Sequence, residues 1–173
     1  MSKALSIKVF SDGAVLETML HDLNSGLVTG FTTNPSLMKK AGITSYIGFA
    51  KDVLKEITDY PVSFEVFADD LEGMEQEARR IAALGDNVYV KIPVTNSKGE
   101  STAPLIDRLT AEGIKVNVTA IFTVEQVREV VDALKSGTPA VVSVFAGRIA
   151  DTGVDPMPIM EEALAICREK EGI

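Results

Sequence analysis

Short apolar runs alternate with amphipathic segments six times along this chain, and this alternation limits its fold more than any other feature. The predicted strands, rich in β-branched residues, are Ile7–Phe10, Leu27–Thr32, Val62–Phe67, Val88–Ile92, Lys115–Ala120 and Ala140–Phe145. The predicted helices, with apolar residues at helical spacing, are Ala14–Leu23, Tyr46–Ile57, Leu71–Leu84, Thr102–Ala111, Val124–Leu134 and Pro158–Glu169. Strict alternation of strand and helix indicates an α/β fold in which helices cover a parallel sheet.

A repeat of roughly 30 residues per strand–helix unit fits either an open doubly wound sheet or a closed barrel. No G-x-G-x-x-G turn follows the first predicted strand, and no P-loop sequence occurs anywhere in the chain. The nucleotide-binding signs that usually accompany the open sheet are therefore missing. The chain contains no linker or low-complexity tract, so we expect a single domain.

The charge and cysteine content exclude several classes of protein. The net charge is −8 and the pI about 4.7, whereas nucleic-acid binding and docking on anionic membranes both require a basic face. Cys167 is the single cysteine, so no intrachain disulfide can form and a reducing compartment is expected. The first residues lack the layout of a signal peptide, and no apolar run approaches the ~20 residues of a membrane span. We therefore expect a cytoplasmic protein.

Polar side chains lie toward the carboxyl-terminal end of every predicted strand. They are Asp12 after strand one, Thr32, Thr33 and Asn34 at the end of strand two, Glu65 in strand three, Lys91 in strand four, Asn117 and Thr119 in strand five, and Ser143 in strand six, with Arg148 following it. In a parallel barrel these strand ends converge on one mouth, which is the catalytic face of that fold. The sequence therefore predicts an active site at this end of the strands.

Lys91 is the candidate with the most specific chemistry. Its neighbours from Val88 to Val94 are mostly apolar, and we expect the loss of solvation there to disfavour the ammonium form. A neutral lysine amine can attack a ketone and form an imine, which then acts as an electron sink for cleavage of the adjacent carbon–carbon bond. The alternative is a lysine whose ammonium group reaches solvent or pairs with a carboxylate.

Two carboxylates could carry the proton transfers that imine chemistry needs. Asp12 is one, although an Asp-Gly-Ala sequence is also typical of a helix N-cap. Glu65 is the other, because an acid inside an apolar strand needs a partner or a function. Thr119 and Asn34 could orient a water or substrate hydroxyls, although Asn34 before Pro35 also reads as a turn residue and Thr119 as an ordinary strand residue.

Arg148 is a candidate phosphate ligand, since its guanidinium group can hold an oxyanion through two hydrogen bonds and Ser143 could add a hydroxyl donor. A salt bridge from Arg148 to Asp151 or Asp155 is the alternative. The acidic residues between Asp69 and Glu77 are expected to form a solvated helix face. No His, Cys or Asp cluster has the spacing of a metal site.

Three motifs at these strand ends resemble signatures of the transaldolase family, small-subunit type. Thr-Thr-Asn-Pro-Ser at 32–36 is similar to the strand-two signature, Val-Tyr-Val-Lys-Ile-Pro at 88–93 to the Schiff-base strand, and Ser-Val-Phe-Ala-Gly-Arg-Ile at 143–149 to the strand-six signature. The motifs occur in order over essentially the whole chain. The resemblance implies a (β/α)8 TIM barrel of class I aldolase type, of which this chain contains six βα units.

The resemblance also implies roles for the candidate residues. Lys91 would form the Schiff base, Asp12 would be the acid/base residue in carbon–carbon cleavage, and Glu65 and Thr119 would hold and activate the catalytic water. The expected substrate-binding residues are Thr33, Asn34, Asn117, Ser143, Phe145 and Arg148. Asn34 and Asn117 would bind substrate hydroxyls or the carbinolamine. Ser143 and Arg148 would lie at the phosphate end.

The implied reaction is transfer of a dihydroxyacetone unit from a ketose phosphate, such as sedoheptulose 7-phosphate or fructose 6-phosphate, to an aldose phosphate in the pentose phosphate pathway. Fructose-6-phosphate aldolases of the same group typically have Gln where this chain has Glu65 and Tyr where it has Phe145, so the resemblance favours a transaldolase. The remaining alternatives are such an aldolase, a transaldolase for a modified, for example sulfonated, sugar, and a non-catalytic fragment that binds sugar phosphates.

Family members continue into a seventh and an eighth strand, which close the barrel. This chain ends at Ile173 after the sixth predicted helix, so we expect residues 1–173 to form one barrel domain that is incomplete at its C-terminus. The resemblance implies a homo-oligomer with a sugar-phosphate substrate. It implies no cofactor or metal, because the lysine imine is itself the electron sink.

Overall fold

A computed structural model describes residues 7–173 of the chain. Six parallel strands alternate with helices, which confirms the predicted α/β class and the six βα units of a (β/α)8-type barrel. The chain divides into two compact units. One consists of the described residues up to Glu65 together with Arg80–Tyr89, and the other consists of Val66–Arg79 together with Val90–Ile173.

The elements agree with the predicted ones to within about three residues, apart from two extra short helices. The strands are β1 (Phe10–Asp12), β2 (Gly30–Thr32), β3 (Val62–Glu65), β4 (Val88–Pro93), β5 (Val116–Ile121) and β6 (Ala140–Val144). The helices are α1 (Leu16–Asn24), α2 (Pro35–Lys40), α3 (Tyr46–Glu56), α4 (Leu71–Ala82), α5 (Ala103–Ala111), α6 (Val124–Ala133), α7 (Ala146–Asp151) and α8 (Met157–Arg168). Within residues 7–173, no helix has the length and apolar character that crossing a membrane requires.

In the first unit, β1, β2 and β3 pair in chain order, with Asp12 opposite Thr32 and Thr32 opposite Ser63. Strand β1 begins at Phe10 rather than at the predicted Ile7. The Thr29 hydroxyl is the physical reason, because it accepts a hydrogen bond from the Val9 amide at 2.9 Å in place of a ladder carbonyl. Asp12 is thus the last residue of the strand and does not follow it.

In the second unit, β4, β5 and β6 pair in register from Val90 opposite Val116 onward. Strand β4 alternates strictly, since Val88, Val90 and Ile92 are buried whereas the residues between them are only partly buried. Side chains of a strand point alternately to its two faces, so one face of β4 packs into the core and the other carries Lys91.

A β-bulge interrupts β5 directly after Thr119. Val118 pairs with Val142 and Ile121 pairs with Val144, so Thr119 and Ala120 together oppose the single residue Ser143. Ala120 has a φ of 60°, and among residues 7–173 it is the one non-glycine residue with a positive φ. A left-handed conformation costs an L-residue roughly 1–2 kcal/mol, so the surrounding pairings hold Ala120 in an unfavourable backbone conformation.

Local side-chain bonds fix the helix starts. Thr123 caps α6 in a capping box, because its hydroxyl accepts from the Gln126 amide at 3.3 Å while Gln126 Oε1 accepts from the Thr123 amide at 3.2 Å. A threonine followed three residues later by a glutamine is the sequence that is typical of such a box. The short helices α2 and α7 were not predicted, because six residues are too few to show helical periodicity.

Candidate active site

Lys91 and two polar residues of β5 lie on the same face of the β4–β5 pair. Lys91 is the register partner of Asn117, and Pro93 is the register partner of Thr119. Paired residues of parallel strands point to the same side of the sheet, and residues two apart on one strand do so as well. Lys91, Asn117 and Thr119 therefore share the face opposite to the one that packs into the core.

The Thr119 side chain is buried although it lies on this polar face. Thr119 is 2% exposed, and its hydroxyl finds no hydrogen-bond partner among the described residues. A buried hydroxyl without a partner costs roughly 1–3 kcal/mol, so such a group in a native fold requires an explanation. A hydroxyl of a bound ligand or a water would supply the missing partner.

Asp12 is held by a neighbouring strand rather than by a helix. Thr32 Oγ1 donates a hydrogen bond to Asp12 Oδ1 at 2.8 Å. Helix α1 begins at Leu16, and its N-cap residue is Val15, so the alternative interpretation of Asp12 as a helix cap is wrong. The Asp12 carboxylate is exposed at the carboxyl end of β1.

The other predicted residues of the first unit have different environments. Thr33 is fully buried, shares the side of Phe31, and its hydroxyl has no partner within residues 7–173. Asn34 Oδ1 accepts from the Leu37 amide at 3.0 Å and so caps α2, which leaves its amide nitrogen for other contacts. Glu65 is the last residue of β3 and is partly buried, and its carbonyl oxygen accepts from the Tyr46 hydroxyl at 2.7 Å.

The residues predicted at the phosphate end lie on β6 and in α7. Ser143 is in β6, and Phe145 follows that strand with its ring edge-on to Phe122 at a centroid distance of 5.7 Å. Arg148 in α7 has a side chain that is 75% exposed and lies 3.6 Å from the Asp151 carboxylate. This is the ion pair considered as the alternative, but both partners are solvated and the contact is long, so the guanidinium group stays accessible to an anion.

The acidic residues before and within α4 are not only a solvated face. Asp70 caps the helix by accepting from the Gly73 amide at 2.8 Å, and Asp69 accepts from the Ser97 amide and hydroxyl, which lowers its pKa. Glu77 accepts from the amides of Phe67 and Ala68, at 2.6 and 2.9 Å. No group of three or more metal-ligand side chains occurs in the described part of the chain.

Three residues of this region had no predicted role in the site. Thr32 carries the bond to Asp12, and Ala120 forms the bulge beside Thr119. Tyr89 lies two residues before Lys91 on β4, and burial raises the pKa of its phenol. The sequence did contain a signal for Thr32, since this residue belongs to the strand-two motif. The other two depend on contacts that the sequence does not display.

Comparison with known proteins gives one consistent result. The family model described as Transaldolase/Fructose-6-phosphate aldolase matches residues 9–173. A probable transaldolase of Methanococcus maripaludis strain C7 is 42% identical over 163 residues, which is 92% of this chain and 70% of the relative. A probable transaldolase of Thermoplasma volcanium is 41% identical over 162 residues, which is 92% of this chain and 69% of the relative.

Proposed function

This chain belongs to the transaldolase/fructose-6-phosphate aldolase family, and on that basis we propose that it transfers a dihydroxyacetone unit from a ketose phosphate to an aldose phosphate. The unit would be carried as a Schiff base on Lys91. The single observation that carries this proposal is the polar face of the β4–β5 pair. It combines a lysine that can form an imine with the buried, unpartnered hydroxyl of Thr119.

The first step is attack of the neutral Lys91 amine on the ketone carbon C2 of the donor sugar. The resulting carbinolamine loses its oxygen as water, which breaks the C2–O bond and leaves a protonated imine. Proton transfer must accompany both changes, and Glu65 and Thr119 would carry it through a bound water. Asn117, the register partner of Lys91, would donate a hydrogen bond to the carbinolamine oxygen.

The second step breaks the bond between C3 and C4. The Asp12 carboxylate accepts the proton of the C4 hydroxyl, the bond electrons pass through C3 into the imine, and an aldose phosphate leaves as its aldehyde. The enamine that remains on Lys91 then attacks the aldehyde of an acceptor, and Asp12 returns its proton to the new hydroxyl. Hydrolysis of the imine releases the product ketose and restores the amine.

Two features support transfer between phosphorylated sugars. Arg148 presents an accessible guanidinium group, and Ser143 offers a hydroxyl donor on the preceding strand, so both would serve the phosphate group. Glu65 and Phe145 are the residue types that favour a transaldolase over an aldolase. A phenylalanine lacks the hydroxyl with which a tyrosine could protonate the enamine and release it before an acceptor arrives.

Borohydride trapping with fructose 6-phosphate, followed by peptide mass mapping, tests the proposal directly. The reduced adduct is expected on the peptide that contains Lys91, and Lys91→Met is expected to abolish it. Lys51→Met is the matched control, because Lys51 is an exposed lysine of α3 whose loss should leave the adduct unchanged. An adduct that survives in the Lys91→Met variant would contradict the proposed mechanism.

A second measurement separates transfer from simple cleavage. Product formation from fructose 6-phosphate is expected to require an aldose phosphate as acceptor. Rapid cleavage with no acceptor present would assign the chain to the aldolases of the family instead.

A further inference from the structure

The bulge in β5 changes the direction of the backbone next to Thr119. In a regular parallel strand, the carbonyl groups of residues two apart point to the same neighbouring strand. Here the Thr119 carbonyl accepts from the Val94 amide at 2.9 Å, just beyond the end of β4. The Ile121 carbonyl accepts instead from the Phe145 amide at 2.8 Å, just beyond the end of β6. Ala120, the single residue between them, therefore changes the neighbouring strand to which the carbonyl groups point.

Ala120 produces this reversal through its left-handed conformation, with a φ of 60°. Glycine is the usual residue at such a position in a β-bulge, since it has no Cβ to clash with the backbone. The bulge also keeps Ile121 fully buried as the partner of Val144. The chain therefore retains an unfavourable backbone conformation between Thr119 and Ile121, the residue whose carbonyl binds the Phe145 amide.

We infer that Ala120 is a positioning residue for the reaction proposed above, on which this inference rests. Its left-handed conformation lets Thr119 keep the place on the face of Lys91 that its pairing with Pro93 gives it, while the next residue turns to β6. Through the Ile121–Phe145 bond the same conformation fixes the start of the segment that carries the Phe145 ring. Thr119 and Phe145 thus owe their relative placement to one residue that touches no substrate.

Substitutions at position 120 test this inference, because amino acids differ in how readily they adopt a positive φ. Ala120→Gly keeps the left-handed conformation without strain, and we expect it to retain at least half of the wild-type rate of imine trapping at Lys91. Ala120→Val places a β-branched residue there, which strongly disfavours positive φ. We expect Ala120→Val to lower the rate constant of imine formation about tenfold, with a smaller change in KM.

A double-mutant comparison separates positioning from a general loss of structure. Thr119→Val removes the hydroxyl, and if Ala120 acts through Thr119 the double variant should form the imine no more slowly than Thr119→Val alone. Additive losses would overturn the inference, as would an Ala120→Val variant with the wild-type rate. The unfolding midpoint of each variant is measured in parallel.

If valine at this position prevents folding, Ala120→Asn and Ala120→Ser provide the same contrast. Asparagine tolerates the left-handed region better than serine does, so the asparagine variant should be the faster of the two, and equal rates would overturn the inference. Whether the wild-type protein forms the adduct distinguishes a failure of the proposed function from a failure of the inference about Ala120. Its absence would overturn the proposed function together with this inference, whereas its presence with an undiminished valine variant would overturn the inference alone.

Discussion

Thr32 forms hydrogen bonds with two consecutive residues, Asp12 and Gly13. Its hydroxyl donates to Asp12 Oδ1 at 2.8 Å, and its carbonyl accepts from the Gly13 amide at 3.0 Å. The two bonds tie the end of β1 to the end of β2, and the bond from the Thr32 hydroxyl also orients the carboxylate. An oriented base transfers protons faster than a mobile one, so the Thr32 hydroxyl should matter for the step that Asp12 performs.

We expect Thr32→Val to slow carbon–carbon cleavage by roughly tenfold, which corresponds to about 1.4 kcal/mol in the barrier. Imine trapping at Lys91 should continue, because Asp12 is proposed to act after the imine has formed. Thr32→Ser retains the hydroxyl and should recover most of the cleavage rate. Single-turnover measurement of the released aldose phosphate, alongside borohydride trapping, reports the two steps separately.

Thr29→Val is the matched control for this prediction. The Thr29 hydroxyl bonds the Val9 backbone at both its amide and its carbonyl oxygen, so its loss should lower the free energy of unfolding and leave cleavage by the folded protein unchanged. If Thr32→Val loses stability but cleaves at the wild-type rate, Thr32 is structural in the same way as Thr29.

Arg148 should determine the affinity for phosphorylated sugars. Its side chain is 75% exposed and its nearest carboxylate, on Asp151, is itself 70% exposed at 3.6 Å, so little free energy opposes its binding to a phosphate. We expect Arg148→Ala to raise the KM for fructose 6-phosphate about tenfold or more, through loss of a charge-assisted pair. The KM for a neutral sugar donor should not change.

Arg168→Ala is the control for the loss of an exposed arginine, since Arg168 ends α8 and is not among the proposed ligands. Asp151→Asn should leave the KM equal or slightly lower, because it removes the competing carboxylate. Equal rises in KM for phosphorylated and neutral donors would indicate that Arg148 does not contact the phosphate.

The helical cap at Thr123 predicts a measurable loss of stability. Thr123 accepts from the Gln126 amide, and Gln126 in turn accepts from the amides of Phe122 and Thr123. Removal of an N-cap side chain costs ~1 kcal/mol, so Thr123→Ala should lower the free energy of unfolding by about that amount. Thr123→Ser keeps the acceptor and should stay close to wild type in urea unfolding; equal losses in both variants would contradict the capping role.

This cap was predictable because the whole interaction lies within four residues of sequence. The same holds for β4, where apolar residues at every second position predict the strand and place Lys91 on the face opposite to them. The bulge after Thr119 was not predictable. Valine and alanine around Thr119 continue a regular strand pattern, and the glycine that usually marks a left-handed bulge is absent. Only pairing with two neighbouring strands imposes that conformation.

The helix α2 shows a signal that was present but interpreted differently. Asn34 followed by Pro35 is typical of an N-cap and the first helical residue, and both have those roles in the structure. From the sequence, Asn34 is predicted to be a substrate-binding residue or a turn residue before a proline, and not a helix cap, because the helix that follows has six residues and no periodic pattern. The cap also orients the Asn34 side chain, since its oxygen accepts from the Leu37 amide, and in the proposed reaction its amide nitrogen would donate to the substrate.

The charge network between α4 and α5 predicts how stability depends on pH. Glu75 accepts hydrogen bonds from Arg108 and from Arg79, each at 2.6 Å, and these bonds lower the pKa of its carboxyl below the ordinary value of 4.5. Arg79 extends the network by donating to Glu112 at 2.7 Å. We expect Glu75→Gln to lower the free energy of unfolding at neutral pH by at most about 1 kcal/mol, the usual range for such surface pairs.

The sign of the pH dependence follows from the lowered pKa. A carboxyl whose pKa is lower in the folded state stabilises the fold at pH values above its unfolded pKa, and this contribution disappears as the pH falls through the folded value. The difference in the free energy of unfolding between wild type and Glu75→Gln should therefore be complete at neutral pH and shrink as the pH falls below 4.5. Glu72→Gln on the same helix is the control. Within residues 7–173 the Glu72 carboxylate has no salt bridge and accepts one long hydrogen bond, from Gln76 at 3.4 Å, so this variant should show little difference at any pH. Urea unfolding of the three proteins across this pH range checks the prediction, and a gap between wild type and Glu75→Gln that stays constant down to the lowest pH would show that packing, not charge, accounts for it.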